Sequence, residues 1–286
     1  DGKSPPVVHN RRDFLMLSSE DQEKMRINSR YWNDVVAVHR ASRFYDLPGF
    51  MAGEVKLNAL ERGEVGDVSG KSLLHLQCHF GMDTLSWARL GARVTGMDYS
   101  EQAVRAAREL AADSGLAGRF VCCNLYDLPA HLDGQFDIVY TSYGVLCWLP
   151  DLREWARIAA SYVKPGGFFY IAEFHPFAYT FDDEADHLAY RYPYFNENAL
   201  RWEFDGSYTD SSEQMKGYED YEWTYRLGEM VTALIDAGLR IEFLHEHPFT
   251  VYQQLPFLVK EEAGNYVFPD GAKPIPLMFS LKASKP

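Results

Sequence analysis

The sequence is short of several things at once. It has 4 cysteines in 286 residues: Cys78, Cys122, Cys123 and Cys147 show no C-x-x-C spacing and sit in apolar surroundings. That argues against a disulfide-stapled fold or a cysteine zinc site and leaves buried, reduced thiols. Basic residues are scarce too, 28 Lys and Arg against 41 Asp and Glu, for a formal net charge of -13. Phosphate backbones are gripped by clustered Lys and Arg, so nucleic acid is disfavoured as a partner. No apolar run approaches the roughly 20 residues that span a bilayer. The opening "DGKSPPVVHN" also lacks the apolar stretch of a signal peptide, so the chain reads as cytoplasmic and not membrane-bound. Position 1 is not Met, which reads as a trimmed start. Internal repeats and low-complexity tracts are missing, and the oligomeric state is not encoded in any pattern.

What is present is a long alternation. Residues 19–62 carry helical periodicity interrupted by "DLPGF" at 46–50, which gives an N-terminal helical cap over 1–66. From Ser72 short apolar runs alternate with amphipathic segments: "SLLHLQC", "DTLSWARLG", "ARVTGMD", "SEQAVRAARELAADSG", "RFVCCN", "FDIVYTS", "LREWARIAASYV" and "GGFFYIAEF". Strand alternating with helix means parallel strands joined by crossovers, hence an α/β, doubly wound sheet over 67–286. A further helix and two strands, "RIEFLHEH" and "IPLMFSLKA", complete seven. Residues 174–225 break the rhythm with fifteen aromatics and an acidic excess over only three basic residues, Arg191, Arg201 and Lys216. So aromatic a segment is no disordered linker, and it is expected to fold as a lid.

In an open parallel sheet a ligand sits beyond the carboxyl ends of the strands, at the first strand–turn–helix. Here that turn reads "LQCHFGMD". About 20 residues past its start Asp98 ends the second strand, where a carboxylate can accept both hydroxyls of an adenosine ribose. A pyrophosphate needs glycines so that backbone N–H groups can approach it, and Gln77 and His79 would obstruct that approach. NAD is therefore disfavoured.

Taken together, "LLHLQCHFGMDTLSWARLGARVTGMDYS", "FVCCNLYDLP", "FDIVYTSYGVLCWLPDL" and "VKPGGFFYIAEFHP" resemble the class I S-adenosylmethionine-dependent methyltransferases, closely over Ser72 to Pro176 and more loosely to Ala283. In that family the first turn has an acidic residue followed by alternating glycines; His75, Gln77 and His79 depart from the pattern and Gly81 keeps it. The resemblance implies S-adenosylmethionine as cofactor, with S-adenosylhomocysteine as product and a small molecule as methyl acceptor. It implies a ribose contact at Asp98, an adenine contact at Tyr99, with Ser100 following, and an acceptor for the adenine amine at Asn124 beside Leu125. Thr141 and Ser142 would lie beside the sulfonium, with Tyr143 or Gly144 bordering the methyl group. Gln77, Cys78, His79 and Thr84 are expected around the methionine end, and Trp32 on the preceding helix would close the cleft. "TSYG" is unlike the Asn/Asp-Pro-Pro-aromatic motif of enzymes that methylate base amines.

Should the acceptor need to lose a proton, His175, Glu173 and His39 are the candidate bases. Competing readings stand beside these. His75 fits a core histidine as well as a cofactor contact, and the "HEH" of 245–247 fits a solvated strand end better than a metal pair. A binding protein of the same fold without turnover is the alternative function, and an NAD-dependent reductase a weaker one. The aromatic, acidic 174–225 segment leans towards a cationic acceptor, or packs on the sheet and no more.

Overall fold

The computed structural model describes residues 17–209, 215–262 and 264–286. The opening decapeptide and part of the 174–225 segment lie outside the described residues. The chain begins with α1 (Ser19–Ala41), whose N-cap Ser18 accepts from the Asp21 N–H and whose first turn carries Glu20 and Asp21 against the helix dipole. "DLPGF" was expected to interrupt the helical cap, and it does so by starting another helix: Asp46 caps α2 (Leu47–Met51), with Pro48 in its first turn, where a fixed φ suits helix initiation. α3 (Ala59–Val65) opens with a capping box between Asn58 and Glu61.

The alternating body follows as β1 (Ser72–Leu76), α4 (Met82–Arg89), β2 (Arg93–Asp98), α5 (Glu101–Ser114), β3 (Gly118–Cys122), α6 (Leu128–His131), β4 (Phe136–Ser142), α7 (Leu152–Tyr162) and β5 (Val163–Phe174). Next come a hairpin, β6 (Leu200–Phe204) and β7 (Tyr218–Glu222), then α8 (Leu227–Asp236) and β8 (Arg240–His247). The short strands β9 (Phe249–Thr250), β10 (Val259–Lys260) and β11 (Tyr266–Val267) precede β12 (Met278–Ser284).

Seven strands form one sheet in the order β3-β2-β1-β4-β5-β12-β8, parallel except that β12 runs antiparallel to both its neighbours. The chain moves outward from β1 to β3 and then restarts at β4 on β1's other side. That reversal is the switch point where an open α/β sheet leaves a crevice for ligand at its carboxyl edge. Two apolar layers flank the sheet: Leu74, Val139, Trp155 and Phe169 in one, Leu73, Trp87, Tyr140 and Tyr170 in the other. Every one of these side chains is fully buried.

Candidate functional site

The crevice is built around the turn after β1. Gln77 (φ 55°), His79 (φ 50°) and Gly81 (φ 76°) are all in the left-handed region, at alternate positions. Only Gly81 does this freely, and its lack of a side chain is needed twice over, since a Cβ there would lie 2.7 Å from the Phe120 ring. At Gln77 and His79 the conformation costs roughly 1–2 kcal/mol each, so the surroundings must impose it. Gln77 donates through Nε2 to the Val145 carbonyl at 2.9 Å. The Cys78 N–H donates to the Met97 carbonyl at 2.8 Å, and the His79 N–H to Asp98 Oδ2 at 2.8 Å. The alternating glycines are gone from two positions, yet the backbone keeps the shape they permit.

Asp98, 7% exposed, also accepts the Ser100 N–H on Oδ1 at 2.9 Å. Burial raises its pKa to about 6, and the backbone N–H groups of Ser100 and His79 oppose that rise, so it is charged at neutral pH. Beyond the turn, the His79 ring meets His39 of α1 (Nε2 to Nδ1, 2.9 Å), and His39 Nε2 meets Ser207 Oγ at 2.8 Å. Burial holds both imidazoles neutral. One hydrogen-bonded line thus joins the turn, the helical cap and the 174–225 segment.

Above the turn lies a cavity of about 1480 Å³. Its walls come from the cap (Trp32, Tyr45, Glu61), the turn, Asp98 and Tyr99, the Ser142–Trp148 loop, Glu173 and the insertion. Several residues of this lining carry a buried polar atom without a partner, among them Trp32 Nε1, Gln77 Oε1, Tyr99 OH, Asp220 Oδ1, Thr224 Oγ1 and Gln254 Oε1. Buried polar groups in folded proteins are nearly always paired, so such a concentration marks a site for a polar ligand.

Of the residues singled out in the sequence, Trp32, Gln77, Cys78, His79, Gly81, Asp98, Tyr99, Ser142 and Glu173 line this cavity. Others are engaged outside its lining. Ser100 caps α5 and bonds Asn33 Oδ1 at 2.9 Å. Thr84 is buried against His75 (Oγ1 to Nδ1, 2.8 Å). Thr141 ties β4 to the Leu76 carbonyl. Asn124 caps a short 3-10 turn by accepting the Tyr126 N–H, and Leu125 is buried within that turn.

The three candidate bases fare differently from expectation. His175 is buried with both ring nitrogens used, Nε2 on Glu246 at 2.9 Å and Nδ1 accepting the Phe177 N–H, and it does not reach the cavity. His39 is fully buried in the line just described. Glu173 reaches the cavity, but its carboxylate accepts four backbone N–H groups, from Gly144, Val145, Leu146 and Phe174. It is a loop organiser, holding Tyr143 (φ 44°) and Gly144 (φ 66°) in the left-handed region. The imidazoles of "HEH" bond Glu64 and Ser280 respectively. Among the described residues no group of three or more His, Cys, Asp or Glu is arranged to hold a metal ion.

Sequence reasoning missed two acidic pairs that line the cavity. Glu61 and Asp83 form one, both with pKa values raised by burial. Glu61 also caps α3, accepting the Asn58 N–H. Asp220 and Glu222 are on β7, and the period-2 spacing in "YEDYEW" was the available signal.

Comparison with known proteins now gives this geometry a context. A family model described as a methyltransferase domain matches residues 74–171. The ubiquinone biosynthesis O-methyltransferase of Escherichia coli O127:H6 is 32% identical over 151 residues, which are 51% of this chain and 62% of that protein. The chain thus spans under two thirds of the curated relatives it matches. Two solved structures share the fold at low identity. An S-adenosylmethionine-dependent methyltransferase from Mesorhizobium loti has 21% identity, covers 82% of this chain and 99% of its own, and has a TM-score of 0.55. Magnesium protoporphyrin IX methyltransferase from Synechocystis, solved with S-adenosylhomocysteine bound, has 14% identity, 92% and 100% coverage and a TM-score of 0.51. With the strand order, the turn and the carboxylate at the end of β2, these matches lead to one conclusion: residues 74–171 match a methyltransferase domain, and the chain shares the fold of S-adenosylmethionine-dependent methyltransferases.

Proposed function

We propose that this protein binds S-adenosylmethionine over the turn at 77–81 and transfers its methyl group to a small-molecule acceptor in the same cavity. The observation that carries the reading is the turn itself: three alternating left-handed residues with the Asp98 carboxylate hydrogen-bonded against them. The residues fit the cofactor. Asp98 would accept the ribose hydroxyls, Tyr99 would pack on the adenine, and the backbone of 77–79 with Trp32 above it would hold the methionine end. Ser142 and the Tyr143–Gly144 backbone would border the methyl group.

The cofactor supplies an electrophilic methyl carbon. In the reaction the acceptor's lone pair forms the new bond to that carbon while the carbon–sulfur bond breaks and its electron pair stays on sulfur. The protein's contribution is alignment of acceptor and donor and exclusion of water. Glu173 acts in this account by fixing the 143–146 loop. Residues 174–225 serve as the lid that covers the acceptor and selects it. A cytoplasmic setting, with no nucleic-acid or membrane partner, fits the charge and the absence of a membrane-crossing helix among the described residues.

Ligand pockets are commonly 300–1,000 Å³, and the larger volume here accommodates donor and acceptor together, which favours turnover over passive cofactor storage. The name of the Escherichia coli relative makes an oxygen acceptor a natural class to screen. The test is incubation with S-adenosylmethionine carrying a labelled methyl group, against a panel of phenols, carboxylic acids and amines, with mass detection of labelled products. Melting curves with NAD run in parallel. Label transfer to a panel member supports the reading; stabilisation by NAD and not by S-adenosylmethionine would overturn it.

A further inference from the structure

The β6–β7 hairpin sets Trp202 opposite Asp220 and Leu200 opposite Glu222. Cross-strand partners and alternate residues share a face of a hairpin, so Trp202, Asp220 and Glu222 lie on one side together with Phe204 and Tyr218. The Phe204–Tyr218 end of that face packs on Tyr31 of α1, with ring centroids 5.0 and 5.8 Å away. The Trp202–Glu222 end lines the cavity. Immediately beyond it, the Trp223 N–H donates to the Cys147 carbonyl at 2.8 Å and fastens the hairpin to the loop that follows β4. The two carboxylates are therefore held beside the loop that would border the methyl group.

Asp220 is only 6% exposed, and its Oδ1 has no partner. A separate segment adds an independent sign: Gln254, 9% exposed, presents its own unpartnered Oε1 to the same cavity. Both atoms are hydrogen-bond acceptors, which calls for a donor in the ligand. Among the basic residues of the lining, Lys56 is paired with Asp46 and Glu54, and Arg191 with Asp182. Burial pushes Asp220 up to about 7 and Glu222 up to about 8, so their ionised forms are held at a cost that a bound cation would offset. Tyr99, Tyr179 and Tyr252 line the same cavity, offering ring faces and edges to an organic body rather than the oxygen shell a hydrated metal ion requires.

We propose that Asp220, Glu222 and Gln254 form the recognition site for an ammonium group on the methyl acceptor, which is an amine carried on an aromatic or apolar body. The inference rests on the methyl-transfer reading above and specifies its substrate class.

The probes are phenethylamine and its uncharged and anionic counterparts, 2-phenylethanol and phenylacetate, titrated calorimetrically into the full chain, both free and loaded with S-adenosylhomocysteine. Phenethylamine is expected to bind at least tenfold more tightly than either counterpart. Asp220→Asn and Glu222→Gln, which keep shape and remove charge, should each weaken it at least tenfold while leaving the circular dichroism spectrum and S-adenosylhomocysteine affinity unchanged. Equal binding of 2-phenylethanol, no binding of phenethylamine at millimolar concentration, or indifference to both substitutions would overturn the site. So would substitutions that weaken S-adenosylmethionine but spare the amine, since the carboxylates would then serve the sulfonium. Failure of the wild type to bind either form of the cofactor, with amine binding intact, would instead overturn the methyl-transfer reading and leave the ammonium site standing.

Discussion

Gln77 and His79 show how far a residue can depart from a motif while its backbone obeys it. The resemblance was legible from the strand, the helix and Asp98, but the two missing glycines suggested an obstructed turn. A φ angle cannot be read from residue identity when neighbours impose it, and here Val145, Asp98 and His39 do so from distant parts of the chain. The strain makes a specific prediction. Gln77→Ala and Gln77→Gly remove the same side-chain hydrogen bond, but only glycine adopts φ 55° without penalty, so the glycine variant should be the more stable by about 1 kcal/mol in urea unfolding. Gly81→Ala should be far worse, because its Cβ would meet Phe120 and Ala107 within 3 Å in addition to the φ penalty.

At the scale of elements, the alternating body was legible because βαβ crossovers impose two clear hydrophobic periods, and the observed order β3-β2-β1-β4-β5-β12-β8 accords with it. The β6–β7 hairpin was not, since one of its faces mixes acidic and aromatic residues rather than being uniformly apolar. Its Trp202–Glu222 end lines the cavity, while its Phe204–Tyr218 end packs on Tyr31. Glu173 was equally opaque: a carboxylate at a strand end looks like a base until the backbone that wraps it is known. Four N–H groups converge on it, so Glu173→Ala should destabilise the fold by about 2–4 kcal/mol by leaving buried donors unpaired. Glu173→Gln, which keeps one acceptor oxygen, should cost less; equal melting temperatures for the two variants would contradict this role. Replacing residues 182–215 with a short Gly/Ser linker tests the lid. Turnover should fall much further than cofactor affinity, and unchanged activity and acceptor preference would remove the lid from the account.

For the whole molecule, the buried titratable groups fix a pH response. Burial raises the carboxyls of Glu61, Asp83, Asp220 and Glu222, the last two to about 7 and about 8. The folded state thus holds these protons more tightly than the unfolded chain. Their contribution to stability is full below the ordinary carboxylate range and is lost as the pH rises through about 7 to 8. The buried imidazoles of His39, His75 and His79 are lowered by burial and act in the opposite sense, losing stability as the pH falls below the ordinary imidazole value. The two sets oppose each other between about pH 4 and 6.5. Above that only the carboxyls act, so the melting temperature should decline from pH 6.5 to 8.5, and Asp220→Asn should flatten the decline. A flat wild-type profile over that interval would show that these groups are not buried as described.

The central claim, that the turn at 77–81 and Asp98 form a binding site for S-adenosylmethionine, is tested most directly by calorimetric titration of that cofactor into the wild type and Asp98→Asn. The substitution keeps the size of the side chain and one acceptor oxygen for the turn, but removes the charge that would hold the ribose hydroxyls. The account predicts one site per chain in the wild type and at least tenfold weaker binding in a folded variant, in keeping with about 1.5–3 kcal/mol for a hydrogen bond to a charged group. Equal affinity in the two proteins, or no binding in the wild type, would contradict it.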